Sequence, residues 1–250
     1  MYKPHKLYIF IFAIFFTGVA AAQEEAKGGP NFAPVEIYVC NFNEGKGQAD
    51  LDKVIVSWNK WMDTTGKEPY SAWIYTADYN SPAYSFDVAW LGAWPDGNAM
   101  GRLTDTYMTS GGGVAKQFDE VITCAAHSNW ASVKMREGGV SEVRKNAVMQ
   151  FSDCTLGEGS SLPTSMEAVR DINAYQAEQG SVASQWIFFP VFGADTDYHF
   201  KTVTVHPNNA ALGADYERYG NGGGFMKAAE IIGDKFKCGN SRVYRSTKVR

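Results

Sequence analysis

The chain contains 250 residues, of which 23 are Lys or Arg and 27 are Asp or Glu, giving a formal charge of −4 at pH 7. Binding to nucleic acid requires a concentrated basic surface, which this acidic chain does not offer, so we exclude nucleic acid as a partner. Hydrophobic residues make up 45% of the chain, enough to form a core in each of one or two domains.

The N-terminus has the pattern of a secretory signal peptide. Lys3 and Lys6 precede an apolar run from Leu7 to Val19, and three alanines then supply the small residues of a cleavage site. The run is shorter than the roughly 20 apolar residues that span a bilayer, so we expect cleavage and not an uncleaved anchor. We therefore predict a signal peptide over residues 1–22, export to the periplasm or the extracellular space, and no membrane span afterwards. The mature chain has 21 basic and 27 acidic residues, a charge of −6.

The rest of the chain contains two copies of one module. The stretch from Val35 to Met62 recurs in altered form from Val148 to Tyr175, and the spacing of 84 residues between Cys40 and Cys124 recurs between Cys154 and Cys238. A repeat at fixed spacing is typical of a duplicated structural unit. We predict a flexible polar lead-in, a first repeat, a linker and a second repeat, at residues 23–34, 35–136, 137–145 and 146–250.

Both repeats predict the same early elements. A strand with alternating apolar residues begins at Val35, and apolar residues at helical spacing follow it, with Asp50 as the expected N-cap. Thr164 takes the place of Asp50 in the second repeat. A second strand follows in each repeat, marked by the shared motif Ser-x-Trp-Ile. Third strands are expected to begin at Tyr84 and Tyr198.

The second helix of each repeat contains three consecutive glycines, Gly111 to Gly113 and Gly222 to Gly224. We expect a break at both places, because glycine is costly in a helix interior. Beyond the break the helix is predicted to resume and to run as far as the second cysteine. A last strand then closes the unit, at Trp130 to Met135 or Arg242 to Thr247.

This order of elements is the ferredoxin-like one, so the predicted fold class is α+β with two tandem βαββαβ units. The last strand of such a unit lies antiparallel to the first, which brings the two cysteines of each repeat together. In an exported chain the repeat therefore predicts the disulfides Cys40–Cys124 and Cys154–Cys238. Zinc ligation by the four thiols is the alternative, although no Cys-x-x-Cys spacing supports it.

A tandem of such units resembles the dimeric α/β-barrel superfamily, in which two ferredoxin-like sheets face one another, here within one chain. The resemblance covers nearly all of the mature sequence and rests on element order and repetition. Families with this architecture include cofactor-free monooxygenases, haem-binding and haem-degrading enzymes, stress-responsive barrel proteins and the NIPSNAP group. The resemblance implies a pseudo-dimer of the two repeats, but it does not select a function.

Few residues suggest metal, cofactor or nucleophile chemistry. Outside the predicted signal peptide the histidines are His127, His199 and His206, and no His-x-His or His-Glu-x-x-His motif occurs, so no metal site is predicted. The chain also lacks the Gly-x-Ser-x-Gly motif of serine hydrolases. No cofactor is predicted. Haem stays open through the resemblance, with His127 as its candidate ligand.

The tryptophans are distributed unequally, with six of seven in the first repeat. Trp58 and Trp61 lie one helical turn apart, so they share a face of the helix. Trp90 and Trp94 are separated by an even number of residues on the predicted third strand, so they share a face of the sheet. If that helix covers that strand, an aromatic cavity forms between them; an ordinary bulky core is the alternative. A buried Asp87 beside it would be a candidate base with a raised pKa, although strand alternation is equally consistent with an Asp87 in water. The candidate ligand-binding residues are Trp58, Trp61, Trp73, Asp87, Trp90, Trp94, Tyr107 and His127.

Three hypotheses follow for function. The first is an exported protein that binds a small apolar or aromatic molecule in the first repeat. The second is a periplasmic enzyme, either monooxygenase-like or haem-dependent. The third is a structural or assembly protein of the cell envelope, in which aromatic surface joins subunits, and homo-oligomerisation is open under all three.

Overall fold

The structure is a computed structural model that describes residues 31–139, 145–194 and 196–250. The predicted signal peptide, most of the lead-in and the centre of the linker lie outside these residues. Within them, no helix is both long and apolar enough to cross a membrane.

Both repeats contain the predicted elements in the predicted order. The first contains β1 (Ala33–Phe42), α1 (Gln48–Trp61), β2 (Ser71–Tyr79), β3 (Val88–Ala93), α2 (Gly97–Ser110), α3 (Gly112–Asp119) and β4 (Ile122–Arg136). The second contains β5 (Asn146–Leu156), α4 (Leu162–Glu178), β6 (Ser184–Phe192), β7 (Phe200–His206), α5 (Asn209–Gly220), α6 (Gly224–Ile232), β8 (Phe236–Cys238) and β9 (Arg242–Lys248).

Eight of the strands form a closed antiparallel barrel. The first repeat contributes the order β4-β1-β3-β2 and the second the order β9-β5-β7-β6, and β8 pairs only with the end of β5. The two sheets join where β2 pairs with β9 and where β4 pairs with β6. The predicted fold class is thereby confirmed, since two ferredoxin-like units form one pseudo-dimeric barrel within the chain.

Most barrel strands bury side chains on two faces. Inward-facing residues of both repeats, among them Leu91, Trp130, Phe151 and Phe188, fill the barrel. The outward face of each sheet lies beneath the helices of its own repeat and forms a separate core there. The protein therefore has three apolar layers, two under helices and one inside the barrel.

Both predicted disulfides are present. Cys40 lies directly opposite Cys124 in the β1–β4 pair, and Cys154 lies opposite Cys238 in the β5–β8 pair. The alternative of zinc ligation is therefore wrong for these thiols, and the first disulfide ties the start of β4 to the end of β1.

Several predicted boundaries are wrong. Cys124 does not end a helix, because α3 stops at Asp119 and β4 already begins at Ile122, where it pairs with the end of β1. β3 opens at Val88 and not at Tyr84, which belongs to a short 3₁₀ turn that begins with a proline. The predicted helix caps are also displaced by three residues. Gly47 precedes α1 in place of Asp50, and the Ser161 hydroxyl caps α4 by accepting from the backbone N–H of Thr164.

The breaks expected at the glycine triplets are present. α2 ends at Ser110 and α3 begins at Gly112, while α5 and α6 are separated by residues 221–223. Gly111 also makes room for a neighbouring side chain, since a β-carbon there would overlap the ring of Tyr107. The first break thus helps to place an aromatic residue of the helix layer.

Candidate functional site

An aromatic cluster occupies the space between the helices and the sheet of the first repeat. Trp58 of α1 is its centre, with ring centroids 6.1 Å from Trp90 of β3, 5.9 Å from Tyr107 of α2 and 6.2 Å from Phe118 of α3. All three contacts are edge-to-face, the arrangement that aromatic quadrupoles favour. Trp61 stacks behind Trp58 at 5.3 Å, as expected of residues one helical turn apart.

This cluster does not fill the layer completely and leaves a cavity of about 740 Å³. Buried side chains form its floor, and exposed ones, including Met108 and Asp119, form its mouth. The Cys40–Cys124 disulfide belongs to its wall. The lining residues are Glu36, Tyr38, Cys40, Trp58, Tyr70, Trp90, Trp94, Leu103, Thr104, Tyr107, Met108, Ala115, Phe118, Asp119, Ile122, Thr123, Cys124 and His127.

One side of the cavity is polar and is organised around the carboxylate of Glu36. The indole N–H of Trp90 donates to the Tyr70 hydroxyl at 2.7 Å, and that hydroxyl donates to Glu36 Oε1 at 2.6 Å. His127 Nε2 lies 2.9 Å from Glu36 Oε2, and the imidazole stacks on the ring of Tyr38 at a centroid distance of 3.7 Å. A hydrogen-bonded chain thus runs from the buried floor to the half-exposed His127.

The strand register explains why these residues meet. Glu36 and Tyr38 are two residues apart on β1, so both point to the helix side of the sheet. Glu36 lies opposite Gly92 on β3, whereas Tyr38 lies opposite Trp90 on one side and His127 on the other. Since glycine has no side chain, position 92 leaves space for Tyr70 above the sheet.

The three tyrosines of the cavity resist ionisation. Burial, followed by the charge of Glu36, raises the pKa of Tyr38 and of Tyr70 well above the ordinary value of 10.0. Burial also raises the pKa of Tyr107, with further contributions from the charges of Asp119 and Glu36. These phenols therefore stay neutral at physiological pH and can act as hydrogen-bond donors.

At the positions that correspond to this polar wall, the second repeat carries different residues. Counted from the cysteines, Gln150 and Ser152 take the places of Glu36 and Tyr38, and Ser241 takes the place of His127. Ser241 joins the other two residues, with its Oγ 2.7 Å from both Gln150 Nε2 and Ser152 Oγ. Trp58 is replaced by Ile172 on the same count. The two repeats share a backbone but differ in this layer.

The structure brings most of the predicted site residues together. Trp58, Trp90, Trp94, Tyr107 and His127 all line the cavity, and Trp61 packs directly behind its floor.

Trp73 and Asp87 do not belong to the cavity. Trp73 packs with the barrel interior, because it lies on the opposite face of β2 from the buried Ile74 of the helix layer. Asp87 is exposed before the start of β3, and its carboxylate accepts a hydrogen bond from the backbone N–H of Phe42 at 2.9 Å. A role for Asp87 as a buried base is therefore wrong.

Sequence reasoning missed Glu36, Tyr38 and Tyr70. The alternation of β1 puts Glu36 and Tyr38 on one face, but alternation by itself does not mark that face as part of a site. The available signal was the first helix with its two tryptophans, which had to cover the outward face of the same sheet.

The lining of this cavity matches haem poorly in charge. Its two propionates bind most strongly to cationic side chains, yet none of the described lining residues is Lys or Arg, and two are carboxylates. Among the described residues, no group of three or more His, Cys, Asp or Glu is placed to hold a metal ion.

A second, polar cavity of about 770 Å³ lies near the ends of β5 and β9. Arg242 binds the Asp153 carboxylate through two hydrogen bonds of 2.7 and 2.9 Å, and Lys201 of β7 contacts the same carboxylate. Arg242 also lies over the ring of Tyr84, and Lys201 over that of Tyr198, both at 4.2 Å. The cations here are used to join three strands at the barrel end.

Comparison with solved structures identifies the fold class. The chain is similar to a putative chlorite dismutase (12% identity, 88% of this chain and 96% of that chain, TM-score 0.54). It is also similar to a putative monooxygenase from Lactobacillus acidophilus (11%, 88% and 95%, 0.53) and to an anthrone oxidase-like protein (12%, 88% and 94%, 0.51). No family model and no curated protein matches the sequence. At these identities the likeness shows the fold alone, that of the dimeric α/β-barrel proteins.

Proposed function

We propose that this is an exported protein that binds a small aromatic molecule in the cavity of its first repeat. The observation that carries the proposal is the cavity itself, whose floor is aromatic and which has a connected hydrogen-bond chain along one side. Its volume of about 740 Å³ lies within the range of roughly 300–1,000 Å³ that small-molecule sites occupy. Apolar walls with a few placed polar groups are typical of such sites.

The difference between the repeats supports this assignment. The same backbone positions of the second repeat carry Gln150, Ser152 and Ser241, so the polar wall is particular to the first repeat. Export is supported by the N-terminal sequence pattern and by the two disulfides, which persist in oxidising compartments.

The test is a binding titration with 4-tert-butylphenol, a small neutral aromatic probe, followed by calorimetry and by tryptophan fluorescence. Ala115 of α3 lines the cavity, so Ala115→Trp should obstruct it and weaken binding at least about tenfold. The neighbouring Lys116 is exposed and does not line the cavity, so Lys116→Trp is the matched control and should bind like the unmodified protein. Equal affinity of the two variants would contradict the proposal.

A second candidate is a monooxygenase-like enzyme that acts on the bound molecule. The observation in its favour is the contact of 2.9 Å between His127 and Glu36, which places a proton acceptor at the cavity mouth. Such a base could remove a proton from the activated carbon of an anthrone, after which molecular oxygen oxidises the carbanion. Anthrone and O2 then give anthraquinone and water.

Oxygen consumption with anthrone tests this candidate. Turnover should exceed the spontaneous rate and should fall at least about 10²-fold in His127→Ala and in Glu36→Gln, the lower range for loss of a general base. If both variants consume oxygen as fast as the unmodified protein, the enzymatic role is dismissed and the binding role stands.

A further inference from the structure

The charged side chains in the described lining of the cavity are carboxylates, and its imidazole is bonded to one of them. Of the described residues that line it, Glu36 and Asp119 are carboxylates, none is Lys or Arg, and the one imidazole is bonded to Glu36. The chain does supply cations elsewhere, since the polar cavity at the barrel end is lined by Arg242 and Lys237. The absence of basic groups is therefore a property of this cavity.

The rest of the wall is rich in the rings that attract cations. Trp58, Trp90 and Trp94 line the cavity together with Tyr70 and Tyr107. The face of an aromatic ring is negative, and tryptophan is the strongest cation–π partner among the side chains. Organic ammonium groups are the ligands for which aromatic enclosures of this kind are typical.

The cavity tyrosines indicate the sign of the local field. Apart from burial, the carboxylate of Glu36 is a cause of the raised pKa of Tyr38, Tyr70 and Tyr107 alike. The field that disfavours a phenolate at these positions also disfavours any other anion in the cavity. It favours a positive charge by the same Coulomb interaction.

We infer that the molecule bound in this cavity is an aromatic organic cation, with an ammonium group held by the tryptophan rings and the Glu36 carboxylate. This inference rests on the proposed binding function and narrows its ligand class. The aromatic floor of the cavity accepts the apolar body, and the neutral Tyr107 phenol in its lining can donate a hydrogen bond to an oxygen that the body carries.

The experiment compares two molecules of the same shape and different charge. 4-tert-Butylphenol is neutral, and (4-hydroxyphenyl)trimethylammonium replaces its quaternary carbon by nitrogen. Titration of the mature protein by calorimetry at low salt should give at least about tenfold tighter binding for the cation, given the size of cation–π and ionic contributions at a desolvated site.

Two variants connect the preference with the carboxylates. Glu36→Gln and Asp119→Asn should each lower the ratio of cation to neutral affinity, Glu36→Gln by more because its side chain is 14% exposed and less screened. Asp119 is exposed, so its variant keeps the test available if Glu36→Gln fails to fold. Asp171→Asn, at an exposed carboxylate of α4 in the second repeat, is the charge-matched control and should leave the ratio unchanged.

The outcomes distinguish the charge of the ligand from the binding function itself. Equal or tighter binding of the neutral molecule would overturn the charge inference while the binding function stands. Failure of both molecules to bind would overturn both. An unchanged ratio in Glu36→Gln and Asp119→Asn would show that the carboxylates do not select the charge, and would overturn the inference in its stated form.

Discussion

A β-carbon at position 92 would overlap the hydroxyl oxygen of Tyr70. Gly92 lies opposite Glu36 in the β1–β3 pair, and the Tyr70 hydroxyl bonds both to Glu36 and to the indole of Trp90. One glycine on the sheet therefore permits the tyrosine that connects the polar side of the cavity with its aromatic floor.

The substitution Gly92→Ala should displace Tyr70 and separate it from Glu36. We expect a loss of about 1–3 kcal/mol in the free energy of unfolding, as for overpacking of a filled core, and a changed tryptophan emission spectrum. Gly101→Ala on α2 is the control, because a β-carbon there meets nothing within 4 Å. It should leave stability equal or increase it by up to about 1 kcal/mol. Denaturant titration measures both, and equal stability of the two variants would refute the steric role of Gly92.

Removing only the hydroxyl of Tyr70 tests the hydrogen-bond chain without a clash. Tyr70→Phe leaves the buried Trp90 N–H and Glu36 Oε1 without this partner, which should cost about 1–3 kcal/mol of unfolding free energy. Tyr79→Phe makes the same change at a residue that is 71% exposed, and it should shift stability by less than about 0.5 kcal/mol. Equal effects in chemical denaturation would mean that the Tyr70 hydroxyl adds nothing to stability.

The two disulfides should be equal for stability and unequal for binding. Both close a loop of 84 residues, so in the chain-entropy model each contributes about 4–5 kcal/mol against unfolding. Only Cys40–Cys124 lines the cavity of the first repeat. Replacing that pair by alanines should therefore weaken binding of the probe molecules, whereas replacing Cys154 and Cys238 should not. Calorimetry on the two double variants, at a temperature where both stay folded, decides the matter.

Acid should weaken the barrel end through Asp153. Burial by itself would raise the pKa of this carboxyl, but the hydrogen bonds from Arg242 and Lys201 outweigh it and hold the pKa below the ordinary value of 3.8. A group whose pKa is lower in the folded state stabilises fully above its unfolded pKa, and this contribution is lost as the pH falls below about 4.

Asp153→Asn should remove that contribution at neutral pH, at a cost of about 3 kcal/mol, the lower end of the range for a broken buried pair. It should also flatten the dependence of unfolding free energy on pH below about 4. Asp171→Asn, at an exposed carboxylate, should change neither quantity. A variant Asp153→Asn that retains the full acid dependence would assign that dependence to other carboxylates.

The fold could be predicted from the sequence because the two repeats share both the cysteine spacing and the order of elements. The equal cysteine spacing fixes the alignment of the repeats, and the order of elements then restricts the topology to one in which Cys40 meets Cys124. The aromatic cavity was predictable in part, since Trp58 and Trp90 are placed by helical and strand periodicity.

The rest of the site depends on faces that the sequence does not distinguish. Trp73 and Ile74 are both apolar and adjacent, so the pattern does not tell which one faces the barrel and which one the helices. Glu36 and Tyr38 are polar residues on a face that the helices cover, where alternation alone suggests solvent. Tyr70 lies before β2 in the chain. It reaches Glu36 because Gly92 has no side chain to occupy the same space.

The closure of the barrel within one chain has an evolutionary consequence. In a barrel made of two identical chains, every substitution appears twice, and a cavity built in one half is built in the other. Here the halves are separate stretches of a single polypeptide, and each sheet completes the other through β2–β9 and β4–β6. The second repeat can therefore keep the strand partners that the first one needs, while mutation is free to remodel the helix layer of one half alone.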